Sequence, residues 1–165
     1  MPESILIVDD NTGYAQWTEA VLRKAGYSDF THVKNARAGL DAVRSNPPFS
    51  AIFSDITMEH PGAGLMMIPK LRKLGYSGVV ILESTAFDYE IVYWLARRTL
   101  RSMGVDGLVI KRLMNDHGRW EVQWISQREG VSVLRERLTG ITEIPDWKDL
   151  RNEREKAKAR KRTKL

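Results

Sequence analysis

Five short, largely apolar runs punctuate the chain: Ile5-Leu6-Ile7-Val8, Phe30 to Val33, Phe49 to Ser54, Val79 to Leu82 and Leu108 to Ile110. Runs that are apolar without alternation are expected of strands covered on both faces. Between them apolar residues recur at helical spacing. Tyr14, Trp17, Val21, Leu22 and Ala25 form one such stripe, stopped by Gly26. Asn35 can cap a helix carrying Ala36, Leu40 and Val43 that ends before Pro47-Pro48. After the loop Glu59-His60-Pro61-Gly62-Ala63-Gly64, a third stripe uses Leu65, Ile68, Leu71 and Leu74 and closes at Gly75. Pro69 is expected in the first turn of that helix, since deeper inside it would kink the axis. Asp88 to Met103 supplies a fourth stripe with Ile91, Val92, Leu95 and Leu100. The alternation predicts an α/β fold, a doubly wound, five-stranded parallel sheet with helices on both faces.

Beyond Lys111 the pattern changes. Trp120, Val122 and Trp124 alternate as in a half-buried strand, and Asn115-Asp116-His117-Gly118 reads as a turn. Together they predict that the fifth strand continues and folds back as a hairpin, adding an antiparallel sixth strand at the sheet edge. Ser126 with Glu129 then reads as a capping box for a helix using Val131, Leu134 and Leu138. A single helix from Trp120 to Leu138 is the competing reading. Gly140 is expected to close a domain of residues 1–140, leaving 141–165 as a basic extension, a charged helix or disordered.

Charge sharpens that division. The 165 residues carry a net charge of +5. Residues 151–165 hold eight Lys/Arg against two Asp/Glu, whereas the preceding 150 hold 18 against 19. The domain is near neutral and the tail makes the chain basic. Such a tail can neutralise nucleic-acid phosphates without sequence preference, but a solvated or frayed terminus is an equal reading. No aromatic follows Trp147 to provide a base-stacking platform. With 42% hydrophobic and 28% charged residues the composition is that of a globular domain. No apolar run approaches the length of a membrane span, so no membrane partner and a cytoplasmic location are expected. The absence of cysteine excludes disulfides and thiolate chemistry.

The candidate chemistry sits at strand ends. Asp9 and Asp10 follow the first run, Asp55 the third and Lys111 the fifth. In an open parallel sheet these ends share one edge, where ligands bind. Clustered carboxylates repel one another, so a hard cation such as Mg²⁺ would reconcile them. Asp9 or Asp10 alone reads as readily as a helix cap. Asp55, followed by Ile56-Thr57-Met58, can act as a nucleophile toward phosphorus. Thr85, or Ser84 one register earlier, offers a hydroxyl to a phosphoryl oxygen, or else a turn contact. Lys111 can pair with the aspartates or with an incoming phosphate.

Ile5-Leu6-Ile7-Val8-Asp9-Asp10-Asn11, Asp55-Ile56-Thr57-Met58, Thr85-Ala86 and Gly104-Val105-Asp106-Gly107-Leu108-Val109-Ile110-Lys111 resemble the response-regulator receiver domain over roughly residues 4 to 112. The resemblance implies a sheet of order 2-1-3-4-5 and a phosphoryl group taken from a histidine kinase or phosphotransfer protein, with Mg²⁺ as cofactor. It further implies Asp55 as phospho-acceptor. Asp10, Asp55 and the Thr57 carbonyl would be direct Mg²⁺ ligands, with Asp9 acting mainly through water. Lys111 and Thr85 would contact the phosphoryl group. Such a chain is a stand-alone signalling domain acting through a protein contact, not an enzyme beyond its own phosphorylation and dephosphorylation, and a homodimer is compatible with it.

Departures fall mainly on the face that receivers use to signal. Arg112 stands where proline usually follows the lysine, and Leu108 where Tyr or Phe is usual. Glu59 follows Met58 in place of proline, and the span from Thr85 to Lys111 is longer by about one helical turn. Two further function classes therefore stand beside the first: a pseudo-receiver that binds without switching, and a nucleic-acid-associated protein acting through the tail. An aspartate-nucleophile phosphatase is excluded, because Thr57 stands where such enzymes place a second acid.

Overall fold

In a computed structural model, residues 3–45, 49–85 and 90–162 are described. Pro47, Pro48, Ala86, Asp88 and residues 163–165 lie outside them, as do the side chains of Ile91, Val92 and Leu95. The elements are β1 (Ser4–Val8), α1 (Thr12–Lys24), β2 (Asp29–Val33), α2 (Ala36–Ser45), β3 (Ala51–Asp55), α3 (Ala63–Lys73), β4 (Val79–Ser84), α4 (Glu90–Ser102) and β5 (Gly107–Ile110). They continue with α5 (Lys111–His117), β6 (Val122–Trp124), α6 (Glu129–Leu138) and α7 (Trp147–Arg162). The sheet order is β2-β1-β3-β4-β5-β6, parallel except for the antiparallel pair β5 and β6.

Each strand divides its side chains between two cores because successive residues face opposite sides. Ile5, Ile7, Phe53, Ile81 and Val109 meet Trp17, Val21 and Leu22 of α1, Met114 of α5 and Val131, Leu134 and Leu138 of α6. Leu6, Val8, Ile52, Val80, Leu82 and Leu108 meet Met67, Ile68 and Leu71 of α3 and Leu100 of α4. This double covering is why the central runs of β1, β3, β4 and β5 are apolar, whereas β2, at the sheet edge with none of its residues buried, carries Thr31 and His32. Asn35 caps α2, accepting the Ala38 amide at 2.8 Å. Pro69 stands at the seventh residue of α3, not in its first turn, and so gives no amide to the Leu65 carbonyl.

The sixth strand is antiparallel at the sheet edge as predicted, but it is not reached by a hairpin. The chain turns helical at Lys111, burying Lys111 and Met114 one turn apart. Gly118 ends that helix in the left-handed conformation, with its amide on the Met114 carbonyl and the Arg119 amide on that of Leu113. The Asn115-Asp116-His117-Gly118 signal is thus a helix stop, which shares its residue preferences with a turn. Nor does Ser126 form a capping box. Arg128 is the N-cap residue of α6 and provides no side-chain cap, while the Ser126 hydroxyl donates to Asp106 Oδ1 at 2.6 Å.

Past Gly140 the chain returns to the same core. Ile144 is buried, its amide bonds the Gly118 carbonyl, and Trp147 and Leu150 pack against the α1 face. Helix α7 then runs beside α1 with none of its residues buried. No described helix is long and apolar enough to cross a membrane.

Candidate phospho-acceptor pocket

Strand ends deliver the pocket. β1 ends at Val8, so Asp9 and Asp10 fall in the connection to α1, and Asn11 takes the capping role by accepting the Gly13 and Tyr14 amides at 3.0 and 3.3 Å. With the cap filled by Asn11, the two aspartates are left for other work. Asp9 is fully buried and Asp10 exposed. The backbone of Asp9 is fixed by its amide on the Val33 carbonyl and by His32 Nε2 at 2.8 Å from its own carbonyl. Its Oδ1 accepts the Asn11 amide at 2.8 Å.

Asp55 is the last residue of β3 and is buried. The chain after it returns so closely that a Cβ at Gly64 would overlap the Asp55 carbonyl oxygen, which makes glycine a packing requirement there. Lys111 opens α5 almost wholly buried, and its Nζ lies 2.7 Å from Asp9 Oδ2 and 3.1 Å from Asp55 Oδ2. The exposed Thr57 donates its amide to Asp55 Oδ1 at 3.3 Å. Thr85 stands exposed one residue beyond β4, at the same edge, and makes no hydrogen bond to the carboxylates among the described residues. Ser84, its register alternative, is buried within β4.

Asp9, Asp10 and Asp55 each present a carboxylate oxygen within 4.8 Å of the others. Three hard oxygen donors, one of them open to solvent, fit Mg²⁺, which takes one or two carboxylates and keeps waters. Burial pushes the Asp55 carboxyl above its ordinary value against the pull of Lys111, and Asp9 adds to the rise. Burial alone would lower the Lys111 ammonium, but Asp9, Glu83 and Asp55 outweigh it and hold the pKa above its ordinary value. One ammonium thus serves several carboxylates, and the pocket is short of positive charge.

Two participants escape a reading by motif. Glu83, inside β4, is fully buried beneath the pocket; its Oε1 accepts the Thr18 hydroxyl at 2.6 Å and its Oε2 has no partner. Burial raises this carboxyl to about 7, with Lys111 opposing and Asp9 and Asp55 assisting. A lone acid ending an apolar strand run is the sequence signal that points to it. Tyr14 lies with its ring centroid 4.4 Å from Lys111 Nζ, a cation–π contact across elements that no local pattern encodes.

The family model for the response regulator receiver domain matches residues 5–123. No curated protein sequence matches the chain. Among solved structures, the receiver domain of the Francisella response regulator 1452 is 23% identical, with a TM-score of 0.55, covering 66% of this chain and 84% of its own. The chemotaxis response regulator CheY4 of Vibrio cholerae is 18% identical, with a TM-score of 0.57, covering 84% of this chain and 99% of its own. The response regulator TrrA of Thermotoga maritima, solved in complex with Mg²⁺ and BeF, is 20% identical, with a TM-score of 0.54 over 86% of this chain and 99% of its own. At these identities the structural likenesses speak for the fold.

Proposed function

The chain belongs to the response regulator receiver domain family, and from that membership we propose that Asp55 accepts a phosphoryl group from a histidine kinase or phosphotransfer protein and passes the signal on through a protein contact. The observation that carries this reading is Lys111 bridging Asp9 and Asp55 at 2.7 and 3.1 Å, with Asp10 beside them. In the proposed reaction an Asp55 carboxylate oxygen attacks phosphorus, the bond from phosphorus to the donor nitrogen breaks, and an acyl phosphate forms. Lys111 turns from the Asp55 carboxylate to the transferred oxygens and offsets their charge. Thr85, exposed at the same edge, donates its hydroxyl to the phosphoryl group once that group is in place. Asp10, Asp55 and the Thr57 carbonyl would hold Mg²⁺, with Asp9 acting mainly through water. The cation would supply charge neutralisation that a single ammonium cannot. The cytoplasm is the compartment proposed for this exchange.

The output face differs from the family pattern. Leu108, where receivers usually carry an aromatic, is fully buried in the α3 and α4 core. It has no exposed ring to move, which favours a readout located elsewhere and keeps the non-switching module as the second reading. Incubation with acetyl phosphate and Mg²⁺, followed by intact mass, separates the two. The acceptor reading expects an acid-stable, base-labile phosphoryl adduct on the wild type and none on Asp55→Asn. A wild type unmodified by every donor leaves the non-switching module.

A further inference from the structure

By sequence, Tyr14 is one apolar position of α1; in the fold it is the meeting point of two cations. Lys111 Nζ lies 4.4 Å from its ring centroid and the Arg154 guanidinium carbon 4.5 Å. The ring stands edge-on to Trp17 at 5.4 Å between centroids, and Arg154 also lies 5.1 Å from the Trp17 ring. Lys111 belongs to the acceptor pocket and Arg154 to α7, so one half-buried aromatic joins the two.

The approach of α7 is built, not incidental. Arg154 Nη1 is buried with no hydrogen-bond partner. That buried nitrogen of an otherwise half-buried side chain is compensated by the ring faces beside it. The side chain lies close over Gly13, where a Cβ would stand 2.8 Å from Arg154 Cδ and 3.2 Å from Asn11 Oδ1. The helix therefore touches α1 at the turn that follows Asp9 and Asp10. On the pocket side, Lys111 makes its shorter contact to Asp9 and its longer one to Asp55. The Tyr14 ring offers the ammonium a further favourable contact while it spans both.

We propose that Tyr14 is a positioning residue for Lys111, and that its ring couples the acceptor pocket to the C-terminal helix through Arg154. Without the ring, Lys111 settles on Asp9 and serves Asp55 less well, and Arg154 loses the surface that holds α7. Tyr14→Phe keeps the ring face; Tyr14→Leu removes it.

In the full chain, phosphorylation by acetyl phosphate with Mg²⁺ is expected to slow about three- to tenfold in Tyr14→Leu and to stay within about twofold of wild type in Tyr14→Phe. Amide exchange over residues 147–162 is expected to quicken roughly tenfold in Tyr14→Leu and Arg154→Met, and not in Tyr14→Phe. With ¹³C-labelled lysine, Arg154→Met is expected to shift the Lys111 Cε resonance, a change that an uncoupled helix would not produce. Equal behaviour of Tyr14→Leu and Tyr14→Phe overturns the proposal, as does a Lys111 resonance indifferent to Arg154→Met. The resonance arm decides alone if Tyr14→Leu does not fold. The kinetic arm rests on Asp55 being the acceptor. If no donor modifies the wild type, that reading falls while the exchange and resonance arms still judge this one.

Discussion

Two buried aspartates mark opposite edges of the same sheet, and their surroundings are built to opposite ends. Asp106 precedes β5 at the amino edge. Its Oδ1 accepts the Ser126 hydroxyl and Arg128 Nε, and its Oδ2 accepts Arg128 Nη2, Arg72 Nη2 and the Val80 amide. Asp55 ends β3 at the carboxyl edge with the Thr57 amide, at 3.3 Å, and a share of Lys111. Burial raises both carboxyls, yet Arg128, Ser126 and Val80 carry Asp106 below its ordinary value while Asp55 stays above it. A carboxylate whose lone pairs are all spoken for is a structural tie. One left short of donors beside two other acids carries negative charge that its surroundings do not fully offset.

Breaking the satisfied end should cost most. Arg72 also donates to the Tyr76, Gly78 and Gly104 carbonyls and Arg128 to those of Ser77 and Gly78, so Asp106 is the hub that fastens β6 and α6 under β4 and β5. Asp106→Asn leaves two guanidinium groups facing a neutral amide. Urea denaturation should show a loss of about 3 kcal/mol, unaffected by Mg²⁺. A loss below about 1 kcal/mol would mean that the carbonyls alone hold the arginines, and the contrast with Asp55 would fail.

The same contrast explains what the sequence disclosed. The apolar runs predict the strands because both sheet faces are covered, and the strand-end aspartates and lysine come together because all parallel strands finish on one edge. The Trp120, Val122 and Trp124 alternation predicts β6 because only one face of an edge strand meets the core. What stays hidden is long-range polar pairing. Ser126 and Glu129 have the spacing of a capping box, but an acid twenty residues earlier in the chain is the stronger partner for the serine. Helix α5 escapes because it is only seven residues long and stops at a glycine that equally fits a turn. Glu83 lies beside the pocket from within β4 and Tyr14 from the first turn of α1, positions to which periodicity assigns only packing.

Glu83, a fully buried acid with one donor and an unpartnered Oε2, is less satisfied still than Asp55, and it sharpens the comparison through pH. Its carboxyl is raised by burial to about 7 in the folded chain, while unfolded it titrates as an ordinary glutamate. A raised acid is protonated in the native state, so its contribution is complete below the unfolded pKa and is lost as pH rises through about 7. Stability should therefore decline between roughly pH 4 and pH 8, by up to about 3 kcal/mol. Glu83→Gln, which keeps an acceptor for Thr18, should flatten that decline. An unchanged slope in the variant would place the titrating group elsewhere.

The unsatisfied end should respond least, and with the opposite sign. Asp55→Asn removes one of three clustered carboxylates and leaves Lys111 to Asp9 alone. In the absence of divalent cation the variant should unfold at higher urea than the wild type, by about 1 kcal/mol, because the ionised Asp55 is held at a cost that its own raised pKa reports. Mg²⁺ should then stabilise the wild type more than the variant, since the lost carboxylate is one of the donors the ion would use. The gain without metal and the smaller gain with it are two faces of one deficit of positive charge. Destabilisation of Asp55→Asn in metal-free buffer would instead show that Lys111 already satisfies Asp55, as the two arginines satisfy Asp106.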